Sequence, residues 1–175
     1  MVKTVVKKYQ VYDYNDLKNN DELFYKCYEN WLSNSDNINC FSDENINSFT
    51  RFAEKLNMKI DYSLSNTEYP DRNCHITLKP DYSLDNNDMQ EILKNYKGNG
   101  YYICDILKDF TLELLNKGNY KYLCEWNTNN LVLKIQNKMF DLWFKDNQDY
   151  FSKENFLQLV ECNEYEFYEN GNIAY

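Results

Sequence analysis

The chain has 175 residues, of which 43% are hydrophobic and 17% aromatic, and its formal net charge is −9. The hydrophobic and aromatic content is too high for a disordered acidic tail, and the length suits one folded domain. With a mean hydropathy of −0.80, no stretch approaches the ~18 apolar residues of a membrane span. The first ten residues lack the apolar core of a signal peptide, so we expect a cytoplasmic protein.

The cysteines and the single histidine argue against a metal site or a thiol nucleophile. His75 follows Cys74 in a strand-like run, and adjacent strand residues point to opposite faces, so the two cannot form a nucleophile–base pair. The absence of a C-x-x-C pair favours buried free thiols in a reducing compartment. These thiols are Cys27, Cys40, Cys74, Cys104, Cys124 and Cys162.

Phosphate-binding motifs are also missing from the sequence. The chain has only four glycines, and none falls in the glycine-rich patterns that hold nucleotide phosphates. Nucleotide-dependent chemistry is therefore not expected. We predict that the protein is not an enzyme and that it uses no cofactor and no metal.

The N-terminal third is predicted to form one strand and two helices. The Val- and Tyr-rich start of the chain predicts a strand with Val11 and Tyr14 on opposite faces. Asn15 or Asp16 is the expected cap of the helix that follows, and Ser42 is the expected cap of the second helix. Apolar residues recur every three to four positions in both helices, which indicates amphipathic faces.

The middle of the chain alternates between strand and helix patterns. Residues 58–80 contain two short alternating runs, which predict a hairpin with a long loop or two neighbouring strands. Asp85 or Asn87 is expected to cap a helix that ends near Gly98. A further helix is predicted to end at Gly118.

The C-terminal third is predicted to contain two hairpins separated by helices. Residues 119–135 have strand compositions on both sides of an Asn-rich turn, which predicts the first hairpin. Helical patterns begin at Gln136 and, after a Ser152 cap, again in the next segment. At the end of the chain, Asn170 and Gly171 predict a closing hairpin with a type I′ turn.

Short antiparallel strand pairs thus alternate with helix pairs, which is typical of an α+β fold. No linker rich in Pro, Gly or Ser divides the chain. We therefore predict a single α+β domain over residues 1–175.

Both ends of the chain carry motifs of one protein family. The segment YDYNDL at residues 12–17 leads into a helix with Trp31 near its end, and LNMKID follows at residues 56–61. The C-terminal segment NEYEFYENG spans residues 163–171. In these motifs the chain resembles a family of small phage and prophage proteins of Gram-positive bacteria that are loosely labelled antitoxin-like.

The resemblance divides the chain into family-like ends and a divergent middle. The ends are residues 1–65 and 136–175, and the middle is residues 66–135. The family offers no catalytic residues to transfer. The resemblance implies a viral protein from a mobile genetic element, which would work in the host cytoplasm.

Acidic residues are concentrated toward the C-terminus. From residue 138 onward the chain has 3 Lys+Arg and 8 Asp+Glu. Glu164 and Glu166 are predicted to share a strand face about 7 Å apart, which is close to the spacing of successive phosphates in nucleic acid. An ordinary solvated strand face is the alternative interpretation. The predicted partner-binding residues are Asp141, Asp146, Asp149, Glu161, Glu164, Tyr165, Glu166, Tyr168 and Glu169.

Two other acidic groups have structural explanations as well. The first group surrounds a predicted helix start, where carboxylates stabilise the helix dipole. It consists of Asp81, Asp85, Asp88 and Glu91. The second group, Asp105, Asp109 and Glu113, recurs every four residues on one helix face, where a divalent cation or a basic partner would relieve the repulsion. Lys108 and Lys117 are also near enough in sequence to moderate it.

These features lead to one main functional hypothesis and two alternatives. The main hypothesis is a phage-encoded, non-enzymatic inhibitor of the anti-CRISPR type, whose acidic surface mimics nucleic acid in a basic groove. Its partner would be a host defence protein or ribonucleoprotein, foremost a CRISPR effector, without direct contact to nucleic acid or a membrane. The alternatives are an antitoxin-like protein that neutralises a toxin, and a carboxylate–metal enzyme that acts on nucleic acid or a nucleotide.

Overall fold

The computed structural model describes residues 8–33, 42–65, 72–80, 84–97, 102–118 and 130–174. The described residues form seven helices and five short strands, and the predicted α+β class is confirmed. In chain order the elements are β1 (Val11–Tyr12), α1 (Tyr14–Asn19), α2 (Asp21–Leu32), α3 (Ser42–Lys55), β2 (Met58–Ser63), β3 (His75–Pro80), α4 (Asn86–Asn95), α5 (Tyr102–Asn116), α6 (Leu131–Tyr150), α7 (Lys153–Cys162), β4 (Glu166–Tyr168) and β5 (Ile173–Ala174).

The chain is organised as two compact units, and this division differs from the boundaries drawn on the family resemblance. The smaller unit consists of residues 1–38 and 148–175, and the larger unit consists of residues 39–147. Each unit has its own cluster of buried apolar side chains. The prediction of a single domain stays a prediction.

The smaller unit joins both ends of the chain in one antiparallel sheet with strand order β1-β4-β5. Aromatic side chains dominate its core, and Trp31 lies 5.3 Å from Phe156, centroid to centroid. Phe167 on the central strand β4 lies 6.0 Å from the Phe156 ring. Edge-to-face and tilted ring pairs of this kind add to the stabilisation that burial alone provides.

The start of the smaller unit has one more helix than predicted. Tyr14 begins α1 rather than continuing the strand, and Asp13 caps this helix. The predicted amphipathic helix is α2, which is capped by Asn20 instead of Asn15 or Asp16. The Asp13 carboxylate accepts hydrogen bonds from the backbone N–H groups of Asn15 (2.8 Å) and Asp16 (3.0 Å). Asp16 in turn accepts from the Asp13 backbone N–H, which completes a capping box.

The larger unit packs α3, α4, α5 and α6 around a core that also includes the inner face of the β2–β3 sheet. The predicted pairing of residues 58–63 with 75–80 is confirmed as an antiparallel register from Met58 opposite Pro80 to Ser63 opposite His75. Asp85 caps α4 as predicted. Gly118 follows α5 with a φ of +67°, which is the left-handed conformation expected of a glycine after a helix.

The predicted strand at residues 131–135 is wrong. These residues form the first turns of α6, where Leu131, Ile135 and Met139 are fully buried at a spacing of four. A short apolar run fits a buried strand or a buried helix equally well, so the sequence pattern could not separate the two. Residues 119–129, which include the rest of that predicted hairpin, lie outside the described residues, as do Gly98 and Gly100.

Candidate partner-binding surface

The two units carry different charge densities. The smaller unit has 12 Asp+Glu and 6 Lys+Arg in 66 residues, and the larger unit has 16 Asp+Glu and 13 Lys+Arg in 109 residues. The net charges are therefore −6 and −3, so the smaller unit carries most of the net negative charge although it has fewer residues. Its C-terminal part contains the residues that we call the acidic hairpin surface: Glu161, Glu164, Tyr165, Glu166, Tyr168 and Glu169.

Glu164 lies in a helix-ending turn and not in a strand, so the prediction that Glu164 and Glu166 share a strand face is wrong. The backbone N–H of Tyr165 donates to the Val160 carbonyl at 3.0 Å, and that of Glu164 donates to the Glu161 carbonyl at 3.4 Å. This bond pair is a Schellman motif at the end of α7, and Glu164 takes its left-handed position with a φ of +53°. Glycine usually occupies that position, so a glutamate there does not signal a turn.

Glu166 and Tyr168 do share a strand face, because they are two residues apart on β4. Phe167 between them is 1% exposed and points into the core of the smaller unit, whereas Glu166 is exposed and Tyr168 is half-buried. On the same outer face, Val11 of β1 is paired with Tyr168, and Ala174 of β5 is paired with Glu166. The outer face of this sheet is therefore aromatic and apolar beside an exposed carboxylate.

The β4–β5 loop has a different turn from the predicted type I′. Gly171 has a φ of +84°, but Asn170 does not have a positive φ. The Gly171 backbone N–H donates to the Tyr168 carbonyl at 2.8 Å, and the Tyr168 N–H donates to the Asn172 carbonyl at 2.8 Å. A three-residue loop with a left-handed glycine in its last position has this bonding pattern.

Close contact with α2 fixes the loop in place. A Cβ atom at Gly171 would lie 2.8 Å from the Lys26 carbonyl oxygen and 2.8 Å from the Asn30 amide nitrogen. The Asn30 amide also donates to the Asn170 carbonyl at 2.9 Å. The β4–β5 loop, which carries Glu169, is therefore held against the helix behind it, whereas Glu161, Glu164 and Glu166 lie on α7, in the turn after it and on β4.

The four glutamates of the acidic hairpin surface are exposed. Within the described ranges, neither Glu161 nor Glu164, Glu166 or Glu169 lies within 4.0 Å of a Lys or Arg nitrogen. The ion pairs found in those ranges, Asp61–Lys79 and Glu113–Lys117, belong to the larger unit. Binding a cationic partner at these glutamates would not require an internal ion pair to break.

The three predicted aspartates of α6 differ in their surroundings. Asp141 and Asp149 are exposed. Asp146 is half-buried, and its carboxylate accepts hydrogen bonds from the Asn45 amide at 3.3 Å and from the Tyr102 hydroxyl at 3.4 Å. Burial, together with the neighbouring Asp146 charge, raises the pKa of Tyr102. Asp141 and Asp146 belong to the larger unit and Asp149 to the smaller one, so we do not include them in the acidic hairpin surface.

Three residues of the other acidic groups make local contacts. Asp85 and Asp88 form the capping box of α4, and Asp81 lies outside the described residues. On α5, Lys117 donates to Glu113 and lowers the pKa of that carboxyl.

Among the described residues, no group of three His, Cys, Asp or Glu side chains is arranged to hold a metal ion. The three α5 carboxylates at positions 105, 109 and 113 accordingly do not form such a group.

The described cysteines are free thiols, but the prediction that these thiols are buried is wrong for Cys162. Cys27 and Cys104 are buried, Cys74 is half-buried and Cys162 is exposed. Burial raises the pKa of Cys27 to about 11, so this thiol is a poor nucleophile. Cys40 and Cys124 lie outside the described residues.

Sequence reasoning missed the contribution of the N-terminal segment to this surface. The Tyr9 ring lies 5.4 Å from the Tyr168 ring, centroid to centroid, at an interplanar angle of 60°. Tyr9 is 65% exposed and Val11 is 39% exposed. The alternation of Tyr9 and Val11 in a strand-like run was the available signal, but their pairing with residue 168 could not be read from local sequence.

Searches of protein-family models, curated proteins and solved structures gave no match to this chain. No helix within the described ranges combines the length and the apolar character needed to cross a membrane.

Proposed function

We propose that this protein is a phage-encoded, non-enzymatic inhibitor of a host nucleic-acid-handling defence complex, of the anti-CRISPR type. The acidic hairpin surface would occupy the basic groove in which that complex holds nucleic acid. The observation that carries the proposal is the exposure of Glu161, Glu164, Glu166 and Glu169 in the C-terminal part of the smaller unit, where none of them forms an ion pair with a basic residue of the described ranges.

Electrostatic complementarity is the physical basis of the proposal. A channel that binds a polyanion attracts an acidic surface, which accelerates encounter and disfavours partners of like charge. CRISPR effectors of the Cas9 type hold their heteroduplex in such a positively charged channel. The same glutamates would repel nucleic acid, so the expected target is the protein groove and not its ligand.

The fixed loop geometry supports binding by lowering its entropic cost. Gly171 contacts the backbone of Lys26 too closely to admit a side chain, and Asn30 donates to the loop. A surface that is already ordered before association loses less conformational freedom on binding. The outward-facing Tyr168 adds rigid contact area of the kind enriched in binding hot spots.

Charge reversal tests the proposal directly. The triple variant Glu164→Lys, Glu166→Lys, Glu169→Lys should weaken binding to a susceptible CRISPR effector ribonucleoprotein at least ten-fold at physiological salt, since surface charges act strongly on association. A suitable measurement is surface plasmon resonance against a panel of purified effectors from Gram-positive bacteria.

The matched control changes the net charge by the same amount in the larger unit. Glu54, Glu91 and Asp109 are exposed there, and their replacement by Lys should leave effector binding within about two-fold. Equal loss in both triple variants would show that only net charge matters and would overturn the proposed site. Binding to a toxin, with no affinity for any effector, would overturn the proposed function in favour of an antitoxin role.

A further inference from the structure

A groove of about 750 Å³ lies where the N-terminal segment meets the β4–β5 loop of the smaller unit. Its walls combine aromatic rings, side-chain amides and one carboxylate. The residues that matter here are Tyr9, Gln10, Tyr168, Glu169, Asn170 and Asn172. We call it the Tyr9–Tyr168 groove.

We propose that the Tyr9–Tyr168 groove binds an arginine side chain of the basic partner. This inference rests on the proposed function for the existence of such a partner, and it specifies the chemistry of the contact. A guanidinium group stacks on the tyrosine rings and donates hydrogen bonds to the Glu169 carboxylate and to the amide oxygens beside it.

The aromatic pair favours a planar cation. The tilt of 60° between the Tyr9 and Tyr168 rings leaves ring surface uncovered, since Tyr9 is 65% exposed. A guanidinium is flat and weakly hydrated, so it stacks on such surface at little desolvation cost. A lysine ammonium is a strongly hydrated point charge and gains less from the same rings.

Glu169 supplies the negative charge and the two carboxylate oxygens that would pair with a guanidinium. It is exposed and has no basic partner in the described ranges, so both carboxylate oxygens can accept a bidentate pair of N–H bonds. Glu169 also lines an adjoining groove of about 150 Å³ together with Glu22. Lys26 lines this adjoining groove as well, so its charge offsets that of Glu22 and the arginine site depends on Glu169 itself.

Lys8 also lines the Tyr9–Tyr168 groove and opposes a cationic ligand. Lys8 is exposed. Its removal should therefore tighten arginine binding about two-fold, because like charges repel weakly in a solvated groove. Tighter binding after the removal of Lys8 distinguishes an arginine site from a site for an anionic or neutral ligand.

The test compares nona-arginine with nona-lysine peptides by fluorescence anisotropy on the full chain at low salt. Wild type should bind the arginine peptide roughly two- to five-fold more tightly than the lysine peptide. Tyr9→Ala should abolish that preference and Tyr9→Phe should retain it, since both aromatic rings present a face to the cation. Tyr62→Ala removes a 47% exposed tyrosine of the larger unit and should change nothing.

The outcomes separate this inference from the proposed function. Equal affinity for both peptides, or a preference that survives Tyr9→Ala, would overturn the arginine site even if charge reversal abolishes effector binding. An arginine preference that depends on Tyr9, in a protein that binds no effector, would support the site and overturn the proposed function. Circular dichroism of each variant confirms that the compared proteins are folded.

Discussion

Replacing Gly171 with Ala should destabilise the smaller unit by more than any surface substitution of the same size. Gly171 is buried and has a φ of +84°. The new Cβ would lie 2.8 Å from the Lys26 carbonyl oxygen, 2.9 Å from its carbon and 2.8 Å from the Asn30 amide nitrogen. Two of these three atoms are backbone, so relief requires the loop to move away from α2.

The magnitude follows from two separate costs. A non-glycine residue in the left-handed region costs roughly 1–2 kcal/mol. Moving the loop would also break the hydrogen bond from the Asn30 amide to the Asn170 carbonyl, at about 1 kcal/mol, besides opening packed contacts. We expect the free energy of unfolding to fall by roughly 2–4 kcal/mol in total.

Gly118→Ala is the matched control for this substitution. Gly118 also has a positive φ, +67°, but nothing lies within 4 Å of the position that its Cβ would take. Only the backbone strain remains, partly offset by the lower entropy of the unfolded chain, so the expected loss is about 0.5–1 kcal/mol.

Equilibrium urea unfolding followed by circular dichroism measures both variants on one scale. The exchange rates of amide hydrogens in β4 and β5 locate the effect in the smaller unit. If Gly171→Ala costs no more than Gly118→Ala, the close contact between the loop and α2 does not exist, and the account of how the acidic hairpin surface is held fails.

Two further predictions concern Glu164 and Cys27. Glu164→Gly should raise the free energy of unfolding by about 0.5–1 kcal/mol, because glycine adopts the φ of +53° without strain. Glu164→Ala should not raise it. Equal effects of the two substitutions in urea unfolding would contradict the Schellman turn. Cys27 is buried with a pKa raised from 9.0 to about 11, so at pH 8 a thiol reagent should label exposed Cys162 and spare Cys27, as peptide mass mapping would reveal. The free energy of unfolding should fall as the pH rises from about 9 through 11, because the unfolded thiol ionises first; Cys27→Ala should reduce that fall, and an unchanged pH profile would count against burial of the thiol.

Local sequence signals predicted most of the individual elements. Caps at Asp85 and Ser152 marked helix starts correctly, because a side-chain acceptor at that position satisfies free backbone N–H groups. Helices with a clear stripe of apolar residues were predicted correctly, because the stripe marks the face that the helix buries. The error at residues 131–135 arose because a short apolar run fits a buried strand and a buried helix equally well.

The candidate site was only partly predictable, because its geometry depends on distant residues. The acidic composition near the C-terminus was evident in the sequence, but the turn at Glu164 was hidden by a residue type that rarely adopts positive φ. The contact between Tyr9 and Tyr168 joins the two ends of the chain through the β1–β4 pairing. Strand pairing across such a separation is set by tertiary packing, which no local pattern encodes.

We propose that the acidic hairpin surface and nucleic acid compete for one basic groove. A direct test measures the binding of labelled target DNA to a susceptible CRISPR effector ribonucleoprotein while the concentration of this protein is raised. The account predicts full displacement of DNA, with an apparent inhibitor affinity that falls as salt is raised because the contacts are charge-dependent. A ternary complex that contains effector, DNA and this protein together would contradict it.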